Sequence, residues 1–132
     1  MPTETMRVLV ADDDHQMRDI LTLFIEDFGL FNVILIAADG EKALTFGLAN
    51  PIDLIITDLE MPRMNGDELI RRLLKQNPNL PAILISGDAQ KLFDAALRLP
   101  RTTKTLHKPF SLQELRRAVK KLGFTETRVA TR

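Results

Sequence analysis

Three consecutive carboxylates, Asp12, Asp13 and Asp14, follow a short run of Val, Leu and Ala. Asp58 follows a second such run, Ser86 closes a third, and Lys108-Pro109 come after a fourth. An aspartate can attack phosphorus and become an acyl phosphate. Adjacent acids suit a hard divalent cation, and magnesium takes one or two carboxylates, several waters and phosphate oxygens. Two like charges about 5 Å apart repel by about 3 kcal/mol at an effective dielectric near 20, so acids gathered at one point need a counter-charge. A cation, an ammonium and a hydroxyl together can hold phosphoryl oxygens while charge shifts during transfer. In that chemistry Asp58 is the nucleophile, and Asp12 and Asp13 are the metal ligands. Lys108 is the ion-pair partner, and Ser86 bonds a phosphoryl oxygen.

Whether these residues meet depends on the elements that carry them. Apolar β-rich runs occur at residues 8–11, 33–37, 54–57, 82–86 and, more weakly, 105–107. The first four are nearly continuous in Val, Ile and Leu, as strands covered on both faces read. The fifth reads as an edge strand. Between them the period changes to three and four. Met17, Ile20, Leu21, Phe24, Ile25 and Phe28 make one helical face, and Gly29 stops it. Further helices are expected over 41–48, 67–75 and 89–97. Ser111 with Glu114 forms a capping box before a last helix that ends at Gly123. Strands alternating with helices give an α/β fold, and right-handed crossovers place helices on both faces of a parallel sheet. Ligands in such folds bind beyond the carboxyl ends of the strands, where the candidate residues lie.

The chain has 132 residues, 18 Lys+Arg, 18 Asp+Glu and no Cys, Trp or Tyr. That is the length of one domain. Without Cys there is no disulfide framework, thiol catalyst or thiolate metal site. No run approaches the roughly 18 apolar residues of a membrane span, and residues 1–7 lack a signal peptide's apolar stretch. A cytoplasmic location is expected. The zero net charge hides two opposite halves: residues 1–68 hold 14 acids and 4 bases, and residues 69–132 hold 4 acids and 14 bases. Between residues 91 and 121 nine bases face two acids, a surface suited to steering an acidic partner. Nucleic acid is not expected, because the stretch has no interleaved aromatics and no DNA-binding motif. Asp14 reads as a helix N-cap, His15 as a solvent-facing first-turn residue and His107 as ordinary strand packing or surface.

Taken together, Leu9-Val10-Ala11-Asp12-Asp13, Asp58-Leu59-Glu60-Met61-Pro62 with Asn65-Gly66, Ser86-Gly87 and Lys108-Pro109-Phe110 resemble the receiver domain of two-component response regulators. The resemblance covers residues 6–123, leaving 1–5 and 124–132 as flexible termini. It implies a (βα)5 doubly wound, flavodoxin-like sheet of five parallel strands in the order 2-1-3-4-5. It further implies that Asp58 takes a phosphoryl group from a sensor histidine kinase or phosphotransfer protein. Asp12, Asp13, Asp58 and the Glu60 backbone carbonyl would hold Mg2+, for which Mn2+ substitutes. Ser86 would move to the phosphoryl group, Lys108 would pair with it, Gly87 would leave room beside it, and the bond before Pro109 would be cis. Output would pass through helix 4, strand 5 and helix 5 to a downstream protein, from a monomer or a phosphorylation-dependent dimer. Such a domain is a signalling module that catalyses only its own phosphorylation and dephosphorylation.

Two positions depart from the pattern. Thr105 stands where receivers carry an aromatic switch residue, so coupling is expected to run through helix 4 and its loop, or to be weak. Glu60 adds a carboxylate beside the phosphoacceptor, where it either repels phosphate or orients a water. Two other functions compete. A magnesium-dependent phosphohydrolase of the haloacid-dehalogenase type is disfavoured by Glu60 in place of Asp and by a chain too short for a cap domain. A flavin binder is disfavoured by Asp12-Asp13-Asp14 where a phosphate cradle needs Ser, Thr and Gly, and by the missing Trp and Tyr. With no output domain after Gly123, a stand-alone receiver or one excised from a longer regulator is expected.

Overall fold

Side chains along a strand point alternately to its two faces, so a strand buried on both sides feeds two cores. A computed structural model, which describes residues 5–125, shows this division. Leu9, Ala11, Ile55, Ala82 and Leu84 pack on one face with Ala43, Leu69, Ile70, Leu73, Leu92 and Ala95. Val8, Val10, Leu54, Ile56, Ile83 and Ile85 pack on the other with Leu21, Ile25, Phe28, Leu115 and Val119.

The element order is β1 (Arg7–Ala11), α1 (His15–Phe28), β2 (Val33–Ala37), α2 (Gly40–Ala49), β3 (Leu54–Asp58), α3 (Gly66–Gln76), β4 (Ala82–Ser86), α4 (Ala89–Ala96), β5 (Thr103–His107) and α5 (Leu112–Lys121). All pairings are parallel, in the order β2-β1-β3-β4-β5. The apolar faces therefore place α1 and α5 on one side of the sheet and α2, α3 and α4 on the other.

Local chemistry sets the ends. Asp14 caps α1 by accepting from the Gln16 N–H, and Gly29 ends it in the left-handed region at φ 68°. Both halves of the Ser111–Glu114 capping box are present. Strand β5 begins two residues earlier than the sequence pattern indicates, because Thr103 and Lys104 pair with β4 through backbone groups that leave no apolar signature. Asp58 is the last residue of β3 and is paired with Ile85. Of the termini expected to be flexible, residues 1–4 and 126–132 lie outside the described residues. Phe124 sets its ring 5.3 Å from that of Phe31.

Gly66, the first residue of α3, touches the site from below. A Cβ there would collide with the Asp58 carbonyl oxygen, and its N–H donates to the Leu59 carbonyl at 2.8 Å. Gly66→Ala is therefore expected to cost about 2 kcal/mol, the usual range for overpacking. Urea denaturation followed by circular dichroism measures this, and an unchanged midpoint would refute the close approach.

Candidate functional site

Strands β1, β3 and β4 and the loop after β5 deliver their terminal residues to one edge of the sheet. Asp12 follows β1 and is fully buried. Its N–H donates to the Ala37 carbonyl at 3.2 Å, and its Oδ1 accepts the Asp14 N–H at 2.9 Å. Arg18 Nη1 donates to the Asp12 carbonyl at 2.9 Å. Asp58 is buried, and its Oδ1 lies 2.8 Å from Lys108 Nζ. Asp12, Asp13 and Asp58 each bring a carboxylate oxygen within 4.8 Å of the others.

The electrostatics of this edge are unbalanced. Burial, followed by the charges of Asp58 and Asp13, pushes the Asp12 carboxyl up to about 6 against the help of the Asp14 N–H and Lys108. Burial also raises Asp58, with Lys108 opposing. Burial works against the Lys108 ammonium, but its hydrogen bond to Asp58 and the charges of Asp12 and Asp58 outweigh that and raise it. One ammonium faces three acids. It also lies 3.8 Å from Asp12 Oδ2, too far for a hydrogen bond. Asp12 Oδ2 has no hydrogen-bond partner among the described residues. A buried carboxylate oxygen without a partner, on a residue that brings one of its oxygens within 4.8 Å of two other carboxylates, fits a hard divalent cation.

The remaining residues surround this edge. Ser86 Oγ accepts the Asp88 N–H at 2.9 Å, and Asp88 caps α4 at the Lys91 N–H. Gly87 leaves open space, with Lys108 Cβ 4.0 Å from where a Cβ would stand. The Lys108-Pro109 bond is cis. Thr105 is exposed on β5 and, with Lys104, Arg117 and Lys121, lines a groove of about 350 Å³. A larger groove of about 720 Å³ opens between α4 and the segment from Leu59 to Asp67. His15 is exposed, 3.7 Å from Asp19, and His107 is exposed on β5.

A family profile described as the response regulator receiver domain matches residues 8–120. The chain is a response regulator receiver domain. It is similar to the response regulator receiver protein CpdR of Brucella abortus, 34% identical over 88% of this chain and 95% of that protein. It is also similar to the sensor histidine kinase TmoS of Ectopseudomonas mendocina, 35% identical over 88% of this chain but only 12% of that protein. Among solved structures, a receiver protein from Sinorhizobium medicae overlays with a TM-score of 0.81 at 26% identity, covering 90% of this chain and 94% of that one. A CheX-CheY-BeF3-Mg2+ complex from Borrelia burgdorferi overlays at 0.78 and 27% identity, covering 91% and 90%.

Residues of this receiver that the sequence pattern passed over also bear on its site. Lys91 Nζ lies 2.9 Å from Glu60 Oε2. Asp67, buried in the first turn of α3, holds Arg98 at 3.1 Å and Arg71 at 3.2 Å. Burial works against its charge, but the two guanidinium groups prevail and hold its carboxyl below the ordinary value. Only the Asp67–Arg71 pair had a signal in the sequence, the spacing of four on one helix. The other two join residues 31 apart on different elements.

Proposed function

We propose that this receiver is a phosphorylation-controlled switch in which Asp58 accepts the phosphoryl group. A histidine of a sensor kinase or phosphotransfer protein supplies it. The bond from phosphorus to the donor nitrogen breaks as the bond to Asp58 Oδ forms. The observation that carries this reading is the Asp58 carboxylate held at 2.8 Å by Lys108 beside the carboxylates of Asp12 and Asp13. Asp12, Asp13 and the Glu60 backbone carbonyl are the groups that would hold magnesium, or manganese in its place, together with Asp58. A cation bound there would supply charge to offset that on the transferring oxygens. Lys108 neutralises the acceptor and then pairs with the product. Ser86 leaves the Asp88 N–H to bond a phosphoryl oxygen, and Gly87 gives the group room.

Because Asp88 caps α4, the movement of Ser86 loosens the start of that helix. With Thr105 in place of an aromatic, α4 carries the response. The face of α4, β5 and α5 passes it to an acidic downstream protein, whose affinity is expected to fall with salt. We assign this function to residues 6–123 in the cytoplasm. No helix among the described residues is long and apolar enough to cross a membrane.

Incubation with acetyl phosphate and Mg2+, read by intact mass, tests the reading: one phosphoryl group is expected, and none without the metal. Beryllofluoride, which imitates a phosphoryl group without being hydrolysed, is expected to bind and to shift α4 amide resonances. Failure of both would overturn the assignment.

A further inference from the structure

The groove of about 720 Å³ is lined by Asp13, Glu60, Asp67, Lys91, Asp94 and Arg98, among others. Most of its charges are already engaged. Arg98 is held by Asp67, which also holds Arg71, and Asp94 accepts from Gln90 at 3.0 Å. Glu60 is different, because it lies two residues after the phosphoacceptor and close to where an anionic donor must arrive. Its carboxylate meets Lys91 at 2.9 Å, joining the β3–α3 loop to α4. Lys91 is held in place by Asp88, whose Oδ1 accepts its N–H at 3.0 Å, and Asp88 in turn bonds Ser86. The Glu60 and Lys91 side chains are 49% and 62% exposed, so their pairing contributes little to stability. What the pair does provide is a cancelled charge at the mouth of the site.

We propose that Lys91 is a positioning residue for phosphoryl uptake, acting through Glu60: it neutralises that carboxylate and holds it toward α4, so that a phosphodonor dianion meets one uncompensated acid fewer as it approaches. The inference rests on Asp58 as the phosphoacceptor. It assigns to a chain position with no motif of its own the task of making Glu60 tolerable there. Two opposite consequences follow from one electrostatic cause. Removing Lys91 exposes the Glu60 charge, which repels an incoming phosphodonor and attracts an incoming Mg2+.

The experiment uses the full chain and Lys91→Met, Lys91→Arg, Glu60→Gln and the Glu60→Gln/Lys91→Met double variant. Labelling of Asp58 by acetyl phosphate is followed by intact mass at saturating Mg2+ and low ionic strength, and Mg2+ binding is measured by calorimetry. Lys91→Met is expected to label about five-fold more slowly, the size a screened unit charge near the site produces. The loss lies in the dependence on donor concentration and fades at high salt. The same variant is expected to bind Mg2+ more tightly, which a damaged fold would not do. Lys91→Arg restores both values, and in the Glu60→Gln background removal of Lys91 changes both by less, because no carboxylate is left to be released toward the site. Labelling of Lys91→Met at the wild-type rate, or an equal loss in the Glu60→Gln background, would overturn the proposal. Absence of any label on the wild-type chain would instead overturn the phosphoacceptor assignment itself.

Discussion

Asp58→Asn is expected to abolish labelling by acetyl phosphate while leaving the protein folded. In the proposed function the carboxylate oxygen is the atom that bonds to phosphorus, and an amide at that position is no substitute nucleophile. Asp12 and Asp13 lie beside it, but Asp12 is fully buried and turned to the Asp14 N–H. Neither has the direct 2.8 Å Lys108 contact that orients Asp58. The loss should therefore be to below detection by intact mass, with no transfer of the label to a neighbour. Stability should move the other way. Burial and like charge already raise the Asp58 carboxyl, so a neutral side chain there relieves repulsion on Asp12. The melting temperature followed by circular dichroism is expected to stay equal or rise in metal-free buffer. A labelled Asp58→Asn protein would move the phosphoacceptor to another acid.

The strand-end residues were readable because topology gathers them. Any parallel doubly wound sheet brings the carboxyl ends of its strands to one edge, so Asp12, Asp58 and Ser86 had to meet once their strands were recognised. Strand order was not readable from alternation. It entered through the family resemblance, and the sheet has that order. The cap at Asp14 and the box at Ser111 were legible because they are local, closing within three residues. Lys91–Glu60 and Arg98–Asp67 were not, since each joins surfaces whose separation no spacing rule encodes. The start of β5 is illegible for a related reason. An edge strand made of Thr103, Lys104 and Thr105 is specified by its neighbour's backbone and not by its own hydrophobicity.

In metal-free buffer, Asp12→Asn is expected to stabilise the protein by up to about 3 kcal/mol above about pH 7, and by little near about pH 3.5. Asp12 holds its proton up to about pH 6 in the folded chain, against an ordinary carboxyl value of 3.8. Below pH 3.8 both states are protonated and the residue costs nothing. As pH rises from 3.8 to about 6, the unfolded chain ionises first. The folded state then binds the extra proton and loses stability at about 1.4 kcal/mol per pH unit. Asp58, also raised, adds to the slope in the same direction, while the contribution of Asp67, lowered, is gained below 3.8 and levels off above it. Lys108 stays charged throughout that window. Subtracting the melting curve of the Asp12→Asn variant from that of the wild type gives the contribution of Asp12 together with its repulsion of Asp58, and removes that of Asp67, which is common to both. For a chain of this size the gap at high pH corresponds to roughly 10 °C in melting temperature. Mg2+ should reverse it, since a cation that binds the ionised folded form stabilises that form by mass action. A gap that ignores pH would mean that Asp12 is not held protonated by burial. The expected reversal would mean that the chain tolerates a destabilising carboxylate at its most buried edge because the cation needs one there.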